Sequence, residues 1–154
     1  MIYFILFLLS LVFTYYIKKI AIKKSIMDIP NDRSSHTVPT PRGGGLAIII
    51  SIYIGLIVLY FTSNIEGRLF FALLCSFPIV IVSLIDDIIS LSSKLRFLTQ
   101  LLSAIFALYF LGGVNSIDFI VFTLDGWWLN LIVVIAMVWL TNLYNFLDGI
   151  DGYS

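Results

Sequence analysis

Five apolar runs, separated by polar connections, constrain the fold of this chain more than any other feature. They cover residues 2–17, 46–61, 69–85, 97–111 and 129–140, and none of them contains a charged side chain. About 20 helical residues cross the hydrocarbon core of a bilayer. The first helix is therefore expected to reach about Ala21, with Lys18 and Lys19 extending toward the interface, and the fifth to continue beyond Leu140. The runs predict an all-α fold, a polytopic membrane helix bundle of about five transmembrane helices.

Composition excludes an ordinary soluble domain. Hydrophobic residues make up 60% of the 154 residues and charged residues only 12%, which is far from the usual balance of globular proteins. No basic segment precedes the first run, so we interpret it as a retained helix and not as a cleaved signal peptide. The single cysteine, Cys75, lies inside the third run and is expected to be a small core residue. Residues 1–154 are interpreted as one integral membrane domain.

Basic residues are distributed unevenly among the connections. Eight of the nine lysines and arginines fall in two of them, at about residues 18–43 and 86–96. By the positive-inside rule these connections face the cytoplasm, as does the segment 145–154, and the N-terminus lies outside. Six acidic residues are then on the cytoplasmic side: Asp28, Asp32, Asp86, Asp87, Asp148 and Asp151.

Asp86 and Asp87 are adjacent carboxylates at the cytoplasmic end of the third run. Two like charges this close repel each other unless a cation neutralises them. Carboxylate oxygens together with substrate phosphates are the usual ligands of Mg²⁺. The alternative interpretation is a solvated helix end.

The last residues of the chain carry a second polar group. Asn142, Asn145, Asp148 and Asp151 are spaced by three, which places neighbours on one helix face as far as the helix continues. Carboxylates near a helix C-terminus are unfavourable without a compensating cation. The alternative here is a polar turn that ends a membrane helix.

The connection at 18–43 combines anion-binding groups with stiff and compact backbone. The segment contains three anion-binding side chains and two prolines ahead of three glycines: Arg33, His36, Pro39, Pro41 and Arg42. This combination is suited to phosphate groups. His36 by itself is more often a bystander, and Lys94 and Arg96 are either topology signals or phosphate partners. Carboxylates and bases on one membrane face indicate Mg²⁺-dependent phosphoryl transfer, in which positioning and charge neutralisation dominate.

Three segments resemble the signatures of one family, the polyprenyl-phosphate N-acetylhexosamine-1-phosphate transferases (glycosyltransferase family 4). They are residues 28–45, the Asp86–Asp87 pair and residues 142–152. Their order, spacing and membrane side agree with the family, and the first segment is most similar to the O-antigen-type branch.

The resemblance implies an activity and a location. Sugar 1-phosphate would pass from a UDP-N-acetylhexosamine to undecaprenyl phosphate with release of UMP, as the first membrane step of cell-envelope polysaccharide synthesis. The reaction would use Mg²⁺, with Mn²⁺ as the alternative ion, at the cytoplasmic face of the bacterial inner (plasma) membrane. The resemblance implies no nucleic-acid partner and leaves a homodimer open.

The resemblance also implies residue roles. The catalytic residues would be Asp86 and Asp87, and the metal ligands Asp86, Asp87 and Asp151. Substrate would be bound by His36, Lys94, Asn142, Asn145, Asp148 and Asp151.

Full-length members of the family have about ten or eleven helices, so the chain is expected to correspond to the N-terminal half of the family fold. One alternative is therefore a catalytically inactive, truncated membrane fragment of such an enzyme. Another is a small transporter subunit whose carboxylates line an ion path. That alternative needs ionisable groups near the bilayer centre, and the five runs contain no charged side chain.

Overall fold

The structure, a computed structural model, describes residues 2–24, 27–28, 39–41, 43–86 and 88–147. Over these residues the chain forms helices α1 (Ile2–Lys23), α2 (Gly44–Phe61), α3 (Gly67–Leu74), α4 (Phe77–Asp86), α5 (Ser93–Leu111) and α6 (Trp128–Leu147). Four short strands accompany them: β1 (Met27–Asp28), β2 (Thr40–Pro41), β3 (Ser116–Asp118) and β4 (Thr123–Asp125).

The prediction of an all-α membrane bundle is confirmed, since each apolar run forms one helix or, in the third run, two helices. Within the described part of the chain, four helical segments have the length and composition to cross a membrane: Tyr3–Lys23, Gly67–Asp86, Ser93–Leu111 and Trp128–Asn145. The helix from the second run, Gly45–Phe61, is apolar but shorter than these four. The orientation of the termini stays a prediction.

The third run was expected to form one continuous helix, and this prediction is wrong. The helix breaks at Cys75 and Ser76, between α3 and α4. Pro78 explains the break, since it lacks the N–H that would bond to the carbonyl four residues earlier and its ring clashes there. Neighbouring side chains donate to carbonyls beside the break, Ser76 Oγ to Leu73 O at 2.6 Å and Cys75 Sγ to Phe71 O at 3.3 Å. Such side-chain donors are how membrane helices tolerate a proline.

The chain divides into two compact units, one within the first 65 residues and one spanning Glu66–Phe146. In the first unit α1 packs against α2. Gly55 permits this close approach, because a Cβ there would lie 2.7 Å from Leu6 Cδ1. Strands β1 and β2 form an antiparallel pair in the polar connection, which the sequence analysis did not predict.

In the second unit α5 packs against both α3 and α4. Helix α5 also contributes Ala104 and Leu108 to a buried cluster with Val134 and Val138 of α6. Alanine and valine have short side chains, so the contact between α5 and α6 is filled with little side-chain volume.

A clamp joins the end of α5 to the start of α6. Gly112, with a φ of 87°, ends α5, and the Gly113 N–H bonds to Leu108 O at 3.0 Å, as in a Schellman motif. The Asn130 side chain then accepts from the Val114 N–H at 2.8 Å and donates to Val114 O at 3.2 Å. Between the two helices β3 and β4 form an antiparallel hairpin, with Ser116 opposite Asp125.

Candidate active site

A polar cavity of about 190 Å³ lies in the second unit, where α4 ends, α5 begins and α6 ends. Helix α4 contributes one side of it and α5 and α6 the others. The lining residues are Ile79, Val82, Ser83, Asp86, Ser93, Arg96, Thr99, Gln100, Thr141, Asn142 and Asn145. Three of the residues predicted for the site, Asp86, Asn142 and Asn145, therefore line one cavity although up to 59 positions separate them in the sequence.

Asp86 is the last residue of α4, and protein donors occupy both of its carboxylate oxygens. Oδ1 accepts the backbone N–H of Leu91 at 2.7 Å, and Oδ2 accepts Arg96 Nη1 at 2.9 Å. The pair is partly exposed, with relative side-chain accessibilities of 24% for Asp86 and 41% for Arg96. An exposed ion pair contributes little to stability, so the main effect of these contacts is to fix the orientation of the carboxylate.

Arg96 lies one turn into α5, which begins after the N-cap Ser92. Its guanidinium carries five N–H donors, and within the described residues its hydrogen bond is the one to Asp86. Arg96 also lines the cavity. Guanidinium groups bind phosphate oxygens through paired, charge-assisted hydrogen bonds. The cavity thus offers an anion-binding group directly beside a carboxylate.

Asn142 is held in place from two sides. Its Nδ2 donates to Gln100 Oε1 of α5 at 2.6 Å and to Val138 O of its own helix at 2.8 Å. Both interactions use the amide nitrogen, so the orientation of the amide is fixed and its oxygen is left to accept. Asn145, three residues further along α6, lines the same cavity, as residues spaced by three share a helix face.

Lys94 is placed differently. It is exposed in the first turn of α5 and does not line the cavity. At 3.6 residues per turn, its position two residues before Arg96 directs it to another side of the helix. The structure thus does not bring Lys94 together with the other predicted residues that it describes.

Four further residues of the predicted site lie outside the described residues. They are His36, Asp87, Asp148 and Asp151.

The described residues fit Mg²⁺ by the chemistry of their donors but do not complete a site. Asp86 retains acceptor capacity, since a carboxylate offers about four lone-pair sites and two are in use. The amide oxygens of Asn142 and Asn145 are also hard donors of the kind Mg²⁺ accepts. Within the described part of the chain, no group of three histidine, cysteine, aspartate or glutamate side chains is close enough to hold a metal ion.

Gln100 was not among the predicted site residues, and for Arg96 two interpretations were open, a topology signal or a phosphate partner. Arg96 and Gln100 are four residues apart on α5 and lie on one helix face. That spacing of four, in the apolar run that follows the Asp86–Asp87 pair, is the signal that was present in the sequence. The hydrogen bond from Gln100 to a residue 42 positions away has no sequence signal.

Comparison with known proteins gives a family model described as glycosyl transferase family 4, which matches residues 69–154. The matched segment contains the whole candidate cavity. No solved structure matches the chain.

Curated relatives match nearly all of this chain. A probable undecaprenyl-phosphate N-acetylglucosaminyl 1-phosphate transferase of Bacillus subtilis is 35% identical over 98% of the chain and 43% of the relative. An undecaprenyl-phosphate alpha-N-acetylglucosaminyl 1-phosphate transferase of Yersinia pestis is 32% identical, over 96% of the chain and 40% of the relative. A phospho-N-acetylmuramoyl-pentapeptide-transferase of Clostridium acetobutylicum is 33% identical over 75% and 40%. The chain thus spans about two fifths of the length of these relatives.

Proposed function

The chain belongs to glycosyl transferase family 4, and on that premise we propose that this protein transfers N-acetylhexosamine 1-phosphate from a UDP-sugar to undecaprenyl phosphate, releasing UMP. The names of the relatives support the acceptor and the transferred group. The multi-pass helical structure supports a membrane location. The proposed location is the bacterial inner membrane, with the cavity on the cytoplasmic side.

The proposed reaction exchanges one phosphorus–oxygen bond for another. An oxygen of the acceptor phosphate forms a bond to the phosphorus atom that carries the sugar. The bond from that phosphorus to the bridging oxygen breaks, and its electron pair leaves with UMP. Because negative charge accumulates on phosphate oxygens, such reactions are accelerated chiefly by positioning and charge stabilisation.

One observation carries the proposal: a cavity at the ends of apolar helices combines a guanidinium, a carboxylate and amide groups. Its position at helix ends suits a reaction between a water-soluble donor and a lipid phosphate. Ser93, the first residue of α5, also lines it, and the N–H groups of a helix N-terminus favour anions. A site of this kind can hold phosphate groups beside a group that accepts protons or cations.

Asp86 and Arg96 have complementary proposed roles. Arg96 binds phosphate oxygens while it orients the Asp86 carboxylate at 2.9 Å. Asp86, together with Asp87, acts at the reacting phosphate, either orienting the acceptor or accepting its proton. The Leu91 N–H at 2.7 Å limits rotation of the Asp86 carboxylate, which keeps the free lone pairs in a constant direction.

The amide groups are proposed to bind the nucleotide sugar. Asn142, oriented by Gln100, presents its oxygen to a donor group of the substrate, and Asn145 lies one helical turn further on. Asp148 and Asp151 are also proposed to bind the nucleotide sugar, and Asp151 is proposed to be a metal ligand as well. His36 and Lys94 are proposed to contact substrate phosphates.

Mg²⁺ is the proposed cofactor, with Mn²⁺ as the alternative, and Asp86, Asp87 and Asp151 as its ligands. When bound, a divalent ion would neutralise charge on the phosphate oxygens.

The experiment measures UMP release by membranes that contain the intact protein, supplied with a UDP-N-acetylhexosamine, undecaprenyl phosphate and Mg²⁺. Replacing Asp86 by Asn is expected to lower the rate by about 100-fold or more, as for loss of a group that acts in proton transfer or positioning. The matched control is Asp125→Asn, an exposed aspartate at the other end of α5 and α6, which is expected to leave the rate unchanged. Activity retained in Asp86→Asn, at equal protein level, would contradict the role of Asp86. Absence of UMP release with every UDP-N-acetylhexosamine tested would contradict the proposed function itself.

A further inference from the structure

The tip of the β3–β4 hairpin is an uncharged apolar segment that the proposed reaction does not use. We define the hairpin tip as residues 119–122, Phe-Ile-Val-Phe. Ile120 and Val121 are 106% and 90% exposed. The rings of Phe119 and Phe122 stack below them with centroids 4.8 Å apart. The tip thus presents four consecutive apolar side chains on an exposed projection, which in folded proteins marks an interaction site.

The residues at the turn are unusual for that position. The Phe119 N–H donates to Phe122 O at 2.8 Å, which leaves Ile120 and Val121 as the two central residues of the turn. Glycine, asparagine, aspartate and proline dominate such positions for conformational reasons. Neither Ile120 nor Val121 has a positive φ, so neither adopts the backbone of the preferred hairpin turns. Turn formation does not explain these two side chains, and their apolar surface requires another reason.

The two charged side chains of the hairpin lie on its strands and not in its tip. Asp118 accepts a hydrogen bond from Thr123 Oγ1 at 2.8 Å, and Asp125 pairs through its backbone with Ser116. All four side chains are exposed. The strands therefore carry polar side chains as far as the Asp118–Thr123 pair directly beside the tip, whereas the tip itself is apolar. This polarity is the one expected of a segment that enters an apolar layer from a polar one.

The position of the hairpin identifies the apolar layer within its reach. It connects α5 and α6, two helices suited to cross the membrane, at the end opposite to Asp86. Three residues of strand extend about 10 Å, and the headgroup region on each side of the hydrocarbon is about 5–8 Å thick. Beside the hairpin, Trp127 is 82% exposed, and tryptophan is enriched at membrane interfaces.

We propose that the hairpin tip inserts into the lipid interface on the face opposite to Asp86. The apolar surface of the tip then contacts lipid at the boundary between headgroups and acyl chains. Insertion fixes the connection between α5 and α6 against the membrane surface, while Asp118 and Asp125 remain among water and headgroups. The proposal does not rest on the reaction assigned to the cavity.

A fluorescent probe at the tip tests the proposal. Val121→Cys is prepared in the intact protein with Cys75 and any further cysteine replaced by Ser, labelled with bimane and placed in phosphatidylcholine–phosphatidylglycerol vesicles. Brominated lipids report contact with acyl chains, and aqueous iodide reports contact with water. The expected result is strong quenching by lipid brominated near the headgroup and loss of quenching by iodide. The matched control is Ser116→Cys, exposed at the base of the same hairpin, where iodide is expected to quench.

Two results would overturn the proposal. Equal iodide quenching at positions 121 and 116 would place the tip in water. Protection from both quenchers would place it against protein, either another part of the same chain or a second copy. If Val121→Cys does not yield folded protein, Ile120→Cys, the other central residue of the turn, provides the same measurement.

Discussion

The rotational position of α5 decides which of its side chains line the cavity. A shift of two residues along the helix is enough to take a side chain out of the cavity. Arg96 and Gln100, one turn apart, both line the cavity, whereas Lys94, two residues before Arg96, is exposed outside it. Residue type and membrane side were enough to select Asp86, Asn142 and Asn145 from the sequence. Their partners were not predictable, because contacts across helices depend on packing between segments distant in the sequence.

The hydrogen bond between Gln100 and Asn142, at 2.6 Å, leads to the first prediction. Replacing Gln100 by Ala removes the acceptor that orients the Asn142 amide. One hydrogen bond contributes about 0.5–1.5 kcal/mol, so the KM for the UDP-sugar is expected to rise about two- to tenfold, with little change in kcat. Steady-state kinetics of UMP release provides the measurement.

A double-mutant cycle separates this positioning role from general damage. If Gln100 acts through Asn142, Gln100→Ala has no further effect on KM in an Asn142→Ala background, because the interaction is already absent. Additive effects of the two substitutions would show that Gln100 does not act through Asn142.

At the scale of elements, the helices follow from apolar runs but their interruptions do not. The runs predicted where α1, α2, α5 and α6 lie to within a few residues, and α6 continues beyond Leu140, as expected, to Leu147. Pro78 in the third run signals the break between α3 and α4. The break was not predicted because the run was interpreted from its hydropathy alone. The β3–β4 hairpin was not predicted because strands of three residues are too short for an alternating pattern to be recognised.

The second prediction concerns the clamp between α5 and α6. Gly113 has a φ of +78°, and a Cβ there would lie 2.9 Å from Asn130 Oδ1, the atom that accepts from Val114. Gly113→Ala therefore strains the backbone and displaces the clamp. We expect the free energy of unfolding to fall by about 1–2 kcal/mol from the backbone alone, with a lower Tm in detergent.

Gly45→Ala is the matched control for this substitution. Gly45 lies in the first turn of α2, and a Cβ there has no neighbour within 4 Å. An alanine in a helix is favoured over glycine by about 0.5–1 kcal/mol, so Tm is expected to stay the same or rise. Equal destabilisation by the two substitutions would argue against a specific role of the clamp.

At the scale of the whole molecule, the distribution of basic residues predicts orientation, which the fold itself leaves undetermined. Eight of nine basic residues fall in two alternate connections, whereas the hairpin between α5 and α6 carries only acidic charge, Asp118 and Asp125. The positive-inside rule therefore assigns the two ends of α5 to opposite sides of the membrane, with Asp86 on the cytoplasmic side.

The third prediction tests this orientation with cysteines at the two ends of the second unit. In a background with cysteines replaced by Ser, Asp125→Cys is expected to react with a membrane-impermeant maleimide in intact cells. Lys94→Cys, exposed at the start of α5, is expected to react only after permeabilisation, because the membrane shields it. The reverse labelling pattern would refute a cytoplasmic cavity.

The break after Leu74 also affects the mechanics of the second unit. A continuous helix bends as a single rod, whereas two segments joined through a short turn change their mutual angle by adjusting a few backbone dihedrals. Helices α3 and α4 each pack against α5, and Asp86 is the final residue of α4. A small change of angle at Cys75 and Ser76 therefore displaces the carboxylate at the far end of α4 by leverage, without unpacking α3 from its neighbour.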